Sequence, residues 1–331
     1  MQFSYSGVMR ALFLGGTSFV GRAMVEDALA RGWEVVLFHR GQTGASLFPD
    51  LKRYIGNRDT DLGLIPETES FDVVVDTSAY FPHQIDHAIE HLSAKTKRYF
   101  FISTISIMLA ADPDEVLDEN AQKQPVPEDL TTLTGATYGG LKVECENRLR
   151  DHFGDRLSIV RPGLIIGPHD KTERFTYWPV RYRDDERVVM PGRPDEKIQV
   201  IDVRDLAAFS LNVMEKGLPG PFMATSPAYS WKEVAEACGH PEKTLWVDGT
   251  WAEEQGLKPW EDFPLWTGPV PSPVMSSSVI ARAQAEGLTA RPLVETIRDL
   301  MAYDPPSELK AGMKNERHQE LVKAALEAGY K

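Results

Sequence analysis

The chain has only two cysteines, Cys145 and Cys238, in 331 residues. Two thiols are too few for a disulfide framework and suit a reducing compartment, so a cytoplasmic location is expected. Basic residues are also scarce: 36 Lys and Arg stand against 49 Asp and Glu, for a net charge of −13. Nucleic acid and anionic membrane both need a basic face, and neither is expected as a partner. No apolar run reaches the ~18 residues a membrane helix requires. The opening MQFSYSGV lacks a basic region ahead of an apolar core, so no secretion signal is expected. Repeats and low-complexity tracts are missing too. What is present is a globular composition, 42% hydrophobic and 26% charged, enough for one large or two modest domains.

The first half alternates two periodicities. Short apolar runs read as strands at 11–15, 33–39, 71–78, 98–104 and 156–162, and helical patterns fill 19–32, 82–95 and 138–153. Such alternation predicts a Rossmann-type α/β domain, a doubly wound parallel sheet with ligands at the carboxyl ends of its strands. Residues 105–136 are acidic and proline-rich and read as a long loop. After about residue 165 the pattern turns irregular, and six of the seven tryptophans lie there. The reading is a nucleotide-binding domain over 9–165 plus about 199–217. A smaller mixed α+β substrate lobe follows over 166–198 and 218–331.

ALFLGGTSFVGR, residues 11–22, has the order strand, glycines, helix. Glycines there permit a sharp turn and close approach of backbone N–H groups to a pyrophosphate, with the helix N-terminus adding positive potential. The expected contacts are Gly15, Thr17, Ser18, Phe19, Val20 and Gly21, although Ser18 stands where the usual spacing has a glycine. The second strand ends His39-Arg40 and carries no acid to accept from an adenosine ribose. Arg40 instead offers a two-pronged partner for a 2′-phosphate, so NADP is expected in preference to NAD.

Tyr138 and Lys142, four apart on a predicted helix, share one face. That helix follows the strand ending in Thr104. A nearby ammonium and a positive nicotinamide ring would draw the tyrosine, ordinarily near pH ~10, toward phenolate. Tyr138 would then exchange a proton with a substrate oxygen, Thr104 would hydrogen-bond that oxygen, and Lys142 would also hold the ribose.

Taken together, the glycine loop, FISTIS, Tyr-x-x-x-Lys and the later RPGLIIGP resemble the extended short-chain dehydrogenase/reductase superfamily, the NAD(P)-dependent epimerase/dehydratase group. The likeness runs from Met9 to about Asp304. It implies that Asn57 and Arg58 touch adenine, that Thr77, Ser78 and Ala79 line the cofactor, and that Pro162 and Gly163 lie beside the nicotinamide. It implies a secondary alcohol or ketone of a small molecule as substrate, with the chain acting as monomer or homodimer. Ile105-Ser106 stand where the sugar-nucleotide dehydratases have Asp-Glu, and RPGLIIG lacks the asparagine common in nucleotide-sugar epimerases. The expected function is therefore NADP-dependent hydride transfer. The alternatives are an epimerase acting on a sugar or sugar nucleotide without net cofactor turnover, and a non-catalytic NADP(H)-binding relative.

His169, Asp170, Arg174, Tyr177, Trp178 and Arg193 fall in segments expected to approach substrate. His83, His87 and His91 recur every fourth residue of one helix. They read as a solvated or subunit-contact face rather than a metal site, and no metal is expected. Cys145 reads as a small buried residue rather than a nucleophile.

Overall fold

The computed structural model describes residues 7–112 and 114–331. Its centre is a seven-stranded parallel sheet. The strands are β1 (Arg10–Leu14), β2 (Glu34–His39), β3 (Arg53–Ile55), β4 (Phe71–Asp76), β5 (Thr96–Ile102), β6 (Leu157–Pro162) and an edge strand, Gly220–Ala224. They lie in the order Gly220–Ala224, β6, β5, β4, β1, β2, β3. Winding therefore proceeds outward in both directions from the β1–β4 pair, which leaves a crevice at that reversal. Leu14 pairs with Phe38 on one side and Asp76 on the other, fixing three strand ends at one level around it.

The hydrophobic runs explain the layers. Residues 11–14 of β1 and the centres of β2, β4 and β5 are buried, as strands covered on both faces must be. Helices α1 (Phe19–Ala30) and α5 (Val203–Glu215) cover one face, and α2 (Pro82–Leu92) and α3 (Tyr138–Phe153) cover the other. Arg31 fastens α1 to α5 through Glu215 at 2.8 Å and Asn212 at 2.7 Å. Proline opens α2, and the Gln84 side chain accepts the backbone N–H groups of Tyr80 and Phe81, which satisfies two donors at the helix start.

The structure moves one domain boundary. Gly220–Ala224 pairs with β6 from Gly220↔Ser158 to Ala224↔Pro162, so it belongs to the nucleotide-binding sheet and not to the substrate lobe. A five-residue run that opens with glycine and proline carries almost no strand signal of its own; pairing with β6 makes it one. Ile280, Ala283 and Leu288 also pack into the core of the first domain. The segment 105–136 is tied down as well. Met108 bridges Lys123, and Leu117, fully buried, exchanges backbone hydrogen bonds with Ser277 and Val279.

The second lobe has its own core, built around Tyr177, Trp178, Trp231 and Trp266. Its strands are short: Val188–Pro191 pairs with Thr244–Val247, and Lys197–Ile198 with Tyr229–Ser230. No helix among the described residues is long and apolar enough to cross a membrane.

Candidate functional site

A cleft of about 520 Å³ opens above the β1–β4 crevice, lined by the glycine loop, the ends of β2 and β3 and the residues after β4. Its geometry shows why each glycine is needed. Gly15 and Gly16 hold φ of 113° and 95°, in the region side chains rarely adopt. A Cβ on Gly21 would lie 2.7 Å from the Gly16 backbone nitrogen, so α1 sits directly against the loop. Ser18 is different. Its φ of −144° and ψ of 140° are ordinary extended backbone, and its hydroxyl caps nothing. The serine is therefore compatible with the turn and its hydroxyl remains available. The strain falls one residue later, on Phe19, at φ 34°.

The cleft floor is a buried polar network. Asp76, fully buried, receives Arg58 through both terminal nitrogens at 2.7 and 2.8 Å, the Tyr99 hydroxyl at 2.6 Å, and the backbone N–H groups of Ser78 and Ala79. Arg58 also donates to the Ser78 hydroxyl at 2.8 Å, and Ser78 donates to the Leu14 carbonyl. Burial alone would push the Asp76 carboxyl up, but Arg58 and the other donors hold it below the usual range. Arg58, expected with Asn57 to touch adenine, lines the cleft as part of its floor, with three of its guanidinium hydrogen bonds spent on Asp76 and Ser78. Asn57, Thr77 and Ser78 line the cleft, whereas Ala79 is buried and its carbonyl accepts from Lys142.

At the β2 end of the cleft stand His39 and Arg40. The His39 Nδ1 accepts the Gly41 N–H at 3.0 Å, which places the hydrogen of a neutral ring on Nε2. Burial and then Arg53 hold this imidazole below its ordinary pKa, and Nε2 has no partner among the described residues. Arg40 is exposed and forms no ion pair among the described residues.

Thr104 and Tyr138 meet beside Tyr80, which lines the cleft, and Lys142 follows one turn later on α3. Thr104 accepts the Ser106 N–H at 3.1 Å, and its hydroxyl faces the Tyr138 phenol. The Lys142 ammonium is buried, donating to the Ala79 carbonyl at 2.9 Å and the Ile102 carbonyl at 2.8 Å and lying 3.9 Å from the Phe101 ring centroid. Two of its three N–H groups are thereby used. Burial pushes Lys142 down to about 8 and Tyr138 up to about 12. Desolvation dominates the phenol in the free protein; what lowers Tyr138 is Thr104 and, more weakly, Arg174, rather than the expected Lys142. Pro162 and Gly163 do not line the glycine cleft; Pro162 pairs with Ala224, and a Cβ on Gly163 would crowd Thr225 and lie 3.8 Å from Ile105, the neighbour of Thr104.

Several residues at the cleft were missed from sequence. Tyr80 is 45% exposed, lines the cleft, and has its ring centroid 6.1 Å from that of Tyr138. Gln42, Thr43, Asp59 and Gln84 complete the wall. The only signal for Tyr80 was an aromatic directly after the fourth strand.

The substrate candidates divide. Arg174 is half-buried with its guanidinium 6.0 Å from the Trp260 ring centroid. His169, at φ 69°, packs edge-on to Tyr303. Asp170 accepts the Thr172 N–H and hydroxyl. Tyr177 and Trp178 are corrections: both are buried in the second lobe's core, with the Trp178 indole donating to the Pro264 carbonyl at 3.0 Å, because their apolar area is worth more inside. Arg193 is exposed and pairs with Asp195 and Glu196. Cys145 is buried, its thiol pushed up to about 12. On α2, the His87 ring contacts the Arg58 carbonyl at 2.7 Å and packs edge-on to His91, and His83 stacks on Phe81.

Comparison with known proteins follows the same outline. The family model "NAD dependent epimerase/dehydratase family" matches residues 11–222. The chain is 24% identical to the chloroplast stem-loop binding protein of 41 kDa b of Arabidopsis thaliana over 269 residues, 73% of this chain and 66% of that protein's length. Among solved structures, it is similar to MoeE5 in complex with UDP-glucose and NAD, with TM-score 0.62 and 18% identity over 89% of this chain and 98% of that one. It is also similar to the terminal R domain of the myxalamid PKS-NRPS biosynthetic pathway, with TM-score 0.68 and 15% identity over 91% and 92% of the two chains. At these identities the structural likeness is one of fold.

Proposed function

The chain belongs to the NAD dependent epimerase/dehydratase family, and we propose that within it this protein is an NADP-dependent oxidoreductase acting on a secondary alcohol or its ketone. The family binds a nicotinamide cofactor, and the residues present fit one. Gly15, Gly16 and Gly21 form a cradle that side chains would fill, and the buried Nε2 of His39 awaits an acceptor. The observation that supports the reading is the Thr104 hydroxyl facing the Tyr138 phenol, whose ring lies 6.1 Å from that of the cleft-lining Tyr80, with Lys142 one turn along the same helix.

When bound, the reduced nicotinamide supplies a hydride to the carbonyl carbon, and the carbonyl oxygen takes a proton as it becomes a hydroxyl. Tyr138 is that proton's source in reduction and its acceptor in oxidation. A phenol held near 12 is protonated at neutral pH and is therefore ready as an acid. Thr104 steadies the same oxygen by hydrogen bonding. Lys142 would hold the ribose with its remaining N–H, and Arg40 would pair with a 2′-phosphate. Its substrate is a small molecule, met as monomer or homodimer in the cytoplasm. The stem-loop-binding name belongs to the Arabidopsis relative; a net charge of −13 here argues against a phosphate backbone as partner.

Calorimetric titration at fixed salt tests the cofactor assignment: NADPH should bind tightly and NADH weakly, and Arg40→Ser should abolish the difference. Tyr138→Phe should then lower turnover by roughly 10²- to 10⁴-fold, the usual range for acid–base catalysis, with NADPH affinity kept. Substrate conversion without net NADPH consumption would overturn the oxidoreductase reading in favour of epimerisation.

A further inference from the structure

We propose that the ring of Tyr80 is the platform on which the nicotinamide half of the cofactor stacks; this rests on the reading of Tyr138 as the acid/base. Position comes first. Tyr80 lines the cleft together with the glycine loop, Thr77 and Ser78, whereas Tyr138 does not. The two ring centroids lie 6.1 Å apart at an interplanar angle of 40°, and the Lys142 Nζ lies 5.9 Å from the Tyr80 centroid. Tyr80 is therefore the part of the cleft wall that adjoins the proposed acid/base. Hydride transfer needs donor and acceptor carbons about 3–3.5 Å apart while Tyr138 reaches the oxygen on the acceptor carbon. The planar ring that gives the hydride must then occupy the end of the cleft that Tyr80 walls.

Rigidity is the second observation. The backbone leading into Tyr80 is held on both sides of its peptide bond. The Ala79 N–H donates to Asp76 at 3.1 Å, and the Ala79 carbonyl accepts from Lys142 at 2.9 Å. The Tyr80 N–H donates to the Gln84 side-chain oxygen at 2.8 Å, and the Gln84 amide in turn donates to Asp59 at 2.8 Å. A side chain mounted this way loses little freedom when a ligand arrives. Yet the ring is left 45% exposed, in a cleft, with apolar area uncovered. Among the other phenylalanines and tyrosines at the cleft, Phe38 is buried and Phe19 opens α1; the ring that pairs with Tyr138 is that of Tyr80. A fixed, open aromatic face takes a flat ring in an offset stack. Such a contact reads the nicotinamide itself, and the rest of the nucleotide is left to the glycine loop.

The test separates the two halves of the cofactor. NADPH and 2′-phospho-ADP-ribose, which lacks the nicotinamide, are titrated calorimetrically into the full chain. Tyr80→Ala should weaken NADPH by roughly 5- to 100-fold, the range for losing one stacked ring, and 2′-phospho-ADP-ribose by less than about twofold. Retained binding of the truncated nucleotide, with an unchanged urea midpoint, shows that the variant is folded. Tyr80→Phe keeps the ring and should stay within about threefold of the wild type for both ligands. Equal weakening of both ligands by Tyr80→Ala, no weakening of NADPH, or a Tyr80→Phe loss as large as that of Tyr80→Ala would each overturn the proposal. A wild-type chain that binds neither ligand would overturn the cofactor reading and this platform with it. Nicotinamide-selective, Tyr80-dependent binding alongside unchanged turnover in Tyr138→Phe would uphold the platform and refute Tyr138 as the acid/base, so the two failures are separable.

Discussion

Cofactor binding at this site should draw a proton onto Lys142. In the free protein, burial lowers this ammonium from 10.5 to about 8, even though Ala79 and Ile102 accept two of its hydrogens. An oxygen supplied to the third N–H stabilises only the charged form, so binding must raise the pKa. The sign follows. The charged lysine predominates below pH 8 and the neutral amine above it, so affinity should be highest below about pH 8 and decline as pH climbs beyond it. At pH 8 about half of the free molecules carry the proton. If the bound lysine regains its ordinary value, nearly all do, and uptake reaches about 0.5 proton per site. A 2′-phosphate, with second pKa near ~6, is already ionised there and adds little. Calorimetric titration of NADP at pH 8 in buffers of different ionisation enthalpy reads this number as a slope. Lys142→Met should bind more weakly with a slope near zero. A wild-type slope of zero at full stoichiometry, or an equal slope in the variant, would refute the argument.

Two further outcomes test the cradle and its floor. Gly21→Ala places a methyl 2.7 Å from the Gly16 nitrogen and 2.9 Å from its Cα, contacts that backbone relieves only by shifting the loop. NADPH affinity should fall at least ~10-fold with about 1–3 kcal/mol of stability, as overpacking costs; unchanged affinity would mean the loop is not the phosphate cradle. Asp76→Asn leaves the buried Arg58 without its counter-ion. Urea denaturation should show a loss of about 3–5 kcal/mol, and a loss below ~1 kcal/mol would show that the Arg58 guanidinium finds another partner.

How far the sequence foretold this molecule depended on whether a residue's role is local. β1, β2, β4, β5 and β6 were legible because each buries a run of apolar side chains between two helix layers, and that demand is written in consecutive residues. β3, with no buried residue, and Gly220–Ala224, with glycine and proline at its start, are strands by virtue of their neighbours, so nothing within them announces it. The same division runs through the site. Gly15, Gly16 and Gly21 are needed by their own backbone and were readable; Ser18 looked like a departure only because the motif was compared by letter, and its extended φ of −144° shows that glycine is not required there. The Arg58–Asp76 pair was not legible because its partners lie 18 residues apart, and neither was the burial of Tyr177 and Trp178, which depends on a second core that closes around all of the first six residues of their helix, α4 (Tyr177–Asp184). Lys142 is the sharpest case. Its spacing from Tyr138 located it, but spacing carries no dielectric, and burial turned the expected donor of positive potential into a half-deprotonated amine near pH 8. In the free protein burial acts against both charged forms, holding the phenol protonated and leaving the ammonium charged only below about pH 8, which is why the cofactor's effect on Lys142 is expected above that pH.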